Sequence, residues 1–161
     1  IYVAYKDYRW MMDFTEKALA QIALELNGST GLTVGGTAIS LQAPFLRLPI
    51  LEAIKTHTGL DLLGMSEEEL RAAAKSIGVE VADEMGSGKI IDAIFGDRCE
   101  HHLVQPTFIT DYPVAMSPLC KRHRDDDRLT ERFELFINGK EIANAYSELN
   151  DPDLQRLHQI K

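Results

Sequence analysis

Thr130-Glu131-Arg132-Phe133-Glu134-Leu135-Phe136-Ile137-Asn138-Gly139-Lys140-Glu141-Ile142-Ala143-Asn144-Ala145-Tyr146-Ser147-Glu148-Leu149-Asn150-Asp151 fixes the architecture expected of this chain. It alternates with the period of two that strands require, and Asn138-Gly139 at its centre is a type I′ hairpin signal. Strands are depleted in Glu and Asn, so carboxylates and amides here ask for a chemical reason. A two-residue loop places Ile137 opposite Lys140 and Phe136 opposite Glu141. Glu134 then lies diagonally from Glu141 on the same face. Carboxylates brought together this way repel unless a proton or cation lies between them. Hard oxygen donors suit Mg²⁺, which commonly takes one or two carboxylates together with substrate phosphates. Two exposed glutamates on a wet sheet face are the bland alternative, and the residues alone leave both open.

Asn144, Tyr146 and Glu148 share the period of two on the second strand. The step from Glu141 to Asn144 is odd, so a regular strand sends them to opposite faces. Both sets enter one cleft only if a β-bulge lies near Ile142–Ala145. Glu148 beside Tyr146 then offers a seat for an ammonium group. A core role for Tyr146, with its hydroxyl satisfied, is the structural alternative.

Outward from the hairpin, 161 residues fit one ordinary domain with a real core. Hydrophobic residues make up 45% and charged residues 26%, the balance of a soluble globular chain. No apolar run approaches a membrane span, and no basic-then-apolar leader opens the chain. Asp and Glu total 25 against 17 Lys and Arg, a net charge of -8 that repels nucleic-acid backbone but suits cationic ligands and metal ions. Cys99 and Cys120 lack any CxxC pairing and read as reduced thiols. The start at Ile1, inside an apparent strand, reads as a piece of a longer protein.

Ile1–Tyr5 is expected as a short strand, followed by a helix from Asp7 to about Leu26 with Trp10, Met11, Phe14 and Ala18 on one face. Short strands follow around Gly35-Gly36, then an edge segment Phe45–Leu48 and a helix from Pro49 to Gly59. Ser66 and Glu69 form a capping box for a helix to Ile77, with Gly78 at its C-cap. Lys89–Arg98 is a helix, Pro106–Tyr112 an apolar strand, and Pro152–Ile160 a closing helix. Lys121–Arg128 reads as a solvated charged loop, and His101 and His102 as surface histidines. The order predicts an α+β fold: an antiparallel sheet with flanking helices.

Gln105–Pro113, Met116–Leu119, Leu129–Phe136 and Lys140–Pro152 together resemble the class II lysyl-tRNA synthetases, and Tyr2–Tyr8 resembles the close of that family's second signature motif. The resemblance implies part of the class II catalytic fold over residues 1–161, lying between the second and third motifs, with a small helical insertion at 60–105. It implies ATP-dependent activation of lysine and its transfer to tRNA(Lys) by a cytoplasmic, homodimeric parent enzyme. By position, Glu134 and Glu141 match the carboxylates that hold Mg²⁺ on ATP. Asn144 matches an amide near substrate and metal, while Tyr2, Tyr146 and Glu148 match the pocket for the lysine ε-ammonium. The family's two ATP-gripping arginines fall outside residues 1–161, so the piece alone is expected to form no lysyl-adenylate. No protein nucleophile is needed, and neither cysteine nor any histidine suggests a triad. Aspartyl and asparaginyl relatives need a cation or an amide reader where Glu148 stands, which favours lysine. A synthetase-like enzyme that lysylates a translation factor and a lysine-binding regulatory module are the alternatives.

Overall fold

Asn138 and Gly139 adopt φ of 55° and 67°, the left-handed pair that a type I′ turn demands. They join strands at Arg132–Ile137 and Lys140–Tyr146, which pair antiparallel with Ile137 opposite Lys140 and Phe136 opposite Glu141, as expected. The computed structural model describes residues 1–159. In chain order the elements are α1 (Tyr8–Asn27), β1 (Gly31–Val34), β2 (Thr37–Ser40), β3 (Leu46–Pro49), α2 (Ile50–Thr58), α3 (Glu67–Ser76), α4 (Ser87–Arg98), β4 (Thr107–Thr110), β5 (Arg132–Ile137), β6 (Lys140–Tyr146) and α5 (Pro152–Gln159). Ile160, the end expected for the last helix, lies outside the described residues. Strands β3-β4-β5-β6 form one sheet, antiparallel except for the parallel pair of β3 with β4. β1 and β2 form a separate hairpin.

The sheet is covered on both sides because β5 is apolar at alternate and adjoining positions. Phe133 and Leu135 pack with Phe108, Phe45, Tyr8 and Met12 under α1. Phe136 and Ile109 point the other way, into a cluster with Ile50, Ile54, Ile90, Ile94 and Phe95 from α2 and α4. Ser66 and Glu69 do satisfy each other's backbone donors, and the bond from the Val79 N–H to the Ala74 carbonyl closes α3 behind Gly78. Among the described residues no helix is long and apolar enough to cross a membrane.

Three expectations are corrected. Ile1–Tyr5 is not a strand: among the described residues no partner strand runs beside it, and Tyr5 at φ 61° breaks extension. β-propensity expresses packing against a neighbour, and here the neighbour is missing. Helix α1 buries Tyr8, Met12, Glu16 and Ala23; of the face expected, Met11 packs against that core, while the Trp10 and Phe14 rings stack on each other outside it. Glu16 disguises the inward face: its carboxylate accepts the Phe45 N–H at 2.8 Å and pairs with Arg47. Strand β4 stops at Thr110 because Asp111 takes φ 58°.

Candidate active site

The register of the ribbon shifts between Leu135 and Phe136, so that Leu135 faces Ala143 while Phe136 faces Glu141. Ile142 is the extra residue. This bulge restores parity: Glu134 stands directly opposite Asn144, and Arg132 opposite Tyr146. Glu141, Asn144 and Tyr146 therefore share one face with Glu134, as the odd step in the sequence required.

The face opens into adjoining cavities. One, of about 540 Å³, is bordered by Glu134 and Glu141 from the ribbon and by Lys89, Asp92 and Glu100 from α4 and the turn after it. The other, of about 280 Å³, brings together Tyr2, Asn144, Tyr146 and Glu148. Asn144 joins them: it borders the smaller cavity, and its Nδ2 donates to Glu134 Oε1 at 3.1 Å. The two cavities divide the expected residues, with Glu134 and Glu141 bordering one and Tyr2, Asn144, Tyr146 and Glu148 the other.

Burial pushes the Glu134 carboxyl upward, and Glu141 adds to the push, while Tyr112 and Arg132 oppose it. The Tyr112 hydroxyl donates to Glu134 Oε2 at 2.8 Å, and Arg132 pairs with Oε1. Burial also raises Glu100, helped by Asp92 and Glu141. Burial, and secondarily the neighbouring carboxylates, put a cost on ionising Glu134 and Glu100 in a cavity that Arg132 and Lys89 also border. A divalent cation would relieve that cost. Two carboxylates with room beside them fit Mg²⁺ arriving with substrate phosphates better than a closed protein cage.

On the other side, burial raises the Tyr146 hydroxyl, with Glu148, Cys120 and Tyr2 adding to the shift. Negative charge at Glu148 is thus felt at the phenol. The backbone of Glu148 is held by a bridge to Cys120. Burial lifts the Cys120 thiol to about 11, so it is inert as a nucleophile. Tyr2, in contrast, lies 91% exposed on the unpaired leading segment.

Reading the sequence alone passes over Arg132 and Tyr112. Arg132 precedes Glu134 by two and so shares its face, a signal that was present in the spacing. Asp92 and Glu100 carry no local signal, because α4 is brought over the ribbon only by tertiary packing. The charged run at 121–128 is exposed over most of its length, as expected of a solvated loop, but Arg124 within it is tied down on both sides. Arg124 donates from Nε to Glu131 at 2.8 Å and from Nη2 to Asp7, the N-cap of α1, at 2.8 Å. Glu131 is 2% exposed; burial pushes its carboxyl up, but bonds from Arg124 and Ser147 outweigh this and hold it low. Part of the supposed loop is thus a clasp beneath the ribbon.

A carboxyl held low in the folded state stabilises above its unfolded value and loses that effect as pH falls through the folded one. Arg124→Ala is therefore expected to cost ~2 kcal/mol at neutral pH, less than the ~3–5 of a wholly buried pair because the arginine is half-exposed. The gap from wild type shrinks below roughly pH 4, where unfolded Glu also becomes protonated. Urea melts at pH 7 and pH 3.5 measure it; an equal gap at both pH values contradicts the ion-pair account.

The profile of the tRNA synthetases class II (D, K and N) matches residues 1–159. Among curated relatives, a lysine–tRNA ligase of Porphyromonas gingivalis strain W83 is 58% identical over 97% of this chain. One of Christiangramia forsetii is 60% identical, and one of Azobacteroides pseudotrichonymphae 53%, each again over 97% of this chain. The chain spans 27% of the length of the first two relatives and 31% of the third. With a family profile matched over nearly every residue and the α+β fold on which it rests, this chain belongs to the class II tRNA synthetases of the D, K and N group.

Proposed function

We propose that this chain carries the amino-acid pocket and metal carboxylates of a lysine–tRNA ligase, a cytoplasmic homodimer acting on lysine, ATP and tRNA(Lys). The observation that carries the reading is the bulge at Ile142, which turns Glu134, Glu141, Asn144 and Tyr146 onto one face. In this reading Glu148, Tyr146 and Tyr2 receive the ε-ammonium of lysine. Asn144 offers its remaining amide N–H toward the α-carboxylate. A lysine carboxylate oxygen attacks the α-phosphorus of ATP and pyrophosphate leaves. The tRNA 3′ hydroxyl then displaces AMP from the carbonyl carbon. Glu134 and Glu141 would hold Mg²⁺, which would supply neutralisation of the phosphate charge. The chain's own task is positioning: two anions must meet in line, and no side-chain nucleophile takes part.

The anionic Glu148 selects a cationic substrate, because an acidic amino acid would face it with like charge. Isothermal titration of the protein carrying this chain with lysine and with aspartate, with and without Mg²⁺-ATP, tests the assignment. Lysine alone should bind; equal heats from aspartate would overturn it. Glu148→Gln is expected to weaken lysine binding by roughly 10- to 100-fold, the worth of one charge-assisted hydrogen bond. An unchanged affinity would remove Glu148 from the pocket.

A further inference from the structure

Arg132 is 17% exposed at its side chain and uses its guanidinium in every direction. Its Nη1 donates to Ser117 Oγ at 2.8 Å and to the Met116 carbonyl at 3.3 Å. Its Nε reaches Asn144 Oδ1 at 3.3 Å, and its Nη2 pairs with Glu134. The cation lies over the Tyr112 ring, 4.6 Å from its centre. A guanidinium so engaged cannot turn toward a phosphate without abandoning the buried Ser117 hydroxyl and the Glu134 carboxylate. It also fixes the Asn144 amide, whose oxygen faces the arginine while its nitrogen faces Glu134.

The far end of these bonds rests on α4. Met116 and Ser117 end a 3-10 turn that packs against Gly88 in the first turn of that helix. A Cβ placed on Gly88 would stand 2.5 Å from the Ala115 carbonyl oxygen and 3.2 Å from the Met116 nitrogen. Glycine is required there for space, since backbone atoms cannot give way as a flexible side chain could. Helix, turn, arginine and carboxylate thus form one contiguous series of contacts.

We propose that Arg132 is a positioning residue that couples the seating of α4 against the Val114–Met116 turn to the placement of Glu134 and Asn144. This rests on the role given above to Glu134. When α4 sits fully home, Met116 and Ser117 hold the guanidinium, and the guanidinium holds the carboxylate and the amide at their working angles. Displacement of the turn releases all of them together.

The test uses Arg132→Met, Arg132→Lys, Gly88→Ala and the Gly88→Ala/Arg132→Met double variant in the protein carrying this chain. Arg132→Met is expected to lower kcat for lysine-dependent ATP–pyrophosphate exchange by roughly 100-fold with the ATP KM changed less than about threefold, as outer-shell losses do. Arg132→Lys recovers about tenfold of it by restoring the charge. Gly88→Ala costs about tenfold alone and nothing further beside Arg132→Met, because both act through one contact. Hydrogen exchange gives a readout independent of turnover: Arg132→Met should speed exchange at residues 114–118 and in the first turn of α4, leaving the β1–β2 hairpin unchanged. Additive losses, a kcat within threefold of wild type, or exchange changes confined to β5 and β6 would overturn the coupling. Ser117→Ala, a gentler cut in the same series, gives the same pattern at smaller size if Arg132→Met does not fold. A wild-type protein without exchange activity would sink the ligase reading instead, and the hydrogen-exchange comparison would still decide the role of Arg132.

Discussion

On the proposed function, Glu134→Gln is expected to lower lysine-dependent ATP–pyrophosphate exchange by about a thousandfold in the protein carrying this chain. The size follows from the role proposed for Glu134, a charge preorganised toward a cation and a polyphosphate, where one such interaction is worth roughly 3–4 kcal/mol. Folding does not explain the loss. Because burial raises the Glu134 carboxyl, its ionised form costs stability at neutral pH, and a neutral amide relieves that cost. Arg132 loses its anionic partner at the same time, so the two changes oppose each other and the melting temperature stays within a few degrees. Exchange kinetics beside a thermal melt measure both. A variant that keeps a tenth of its activity, or one that melts far below wild type, would deny Glu134 its metal role.

The second large effect is one of stability. Phe133 is fully buried and meets the Phe108 ring edge-on at 5.0 Å, while Phe108 tilts against Phe45 at 5.7 Å. Phe133→Ala removes one end of this stack, takes away the edge-on partner of Phe108 and leaves a cavity between α1 and the sheet, at a cost of ~4 kcal/mol. For a chain of this size that is a fall of roughly 8–16 °C in Tm. Ile142→Val, at the exposed bulge, should change stability by less than about 0.5 kcal/mol. Chemical denaturation of both variants makes the comparison, and a Phe133→Ala loss under about 1 kcal/mol would mean that the stack is not the keystone of that layer.

The ribbon was legible because its signals are local. Asn138-Gly139 dictates its own turn, and the odd spacing between Glu141 and Asn144 forces a bulge on any arrangement that uses both. Capping at Ser66 and the stop at Gly59 are likewise written in neighbouring residues. What the sequence hides depends on contacts across the fold. Glu16 reads as a surface residue until the Phe45 N–H arrives to meet it. Arg124 reads as solvated until Glu131 is seen beneath it. Asp92 and Glu100 approach the ribbon only because Ile90, Ile94 and Phe95 seat α4 on Phe136. The leading segment misled for the opposite reason: Ile1–Tyr5 has the composition of a strand and no neighbour to make it one.

The turn at Asn138-Gly139 is docked by its own N–H groups onto the carbonyls of Val104 and Leu103, and Ser147 is tied at the other end to Glu131 and Lys121. Mechanically, β6 is a beam supported at both ends and, among the described residues, braced by a neighbouring strand along one long side only. Such a beam yields at mid-span, so any give that a ligand demands of the ribbon falls on Asn144 rather than on Glu141 or Glu148. In the proposed reading the charged groups, Glu141 and Glu148, stand beside the supports, and the one that adapts is the neutral amide of Asn144.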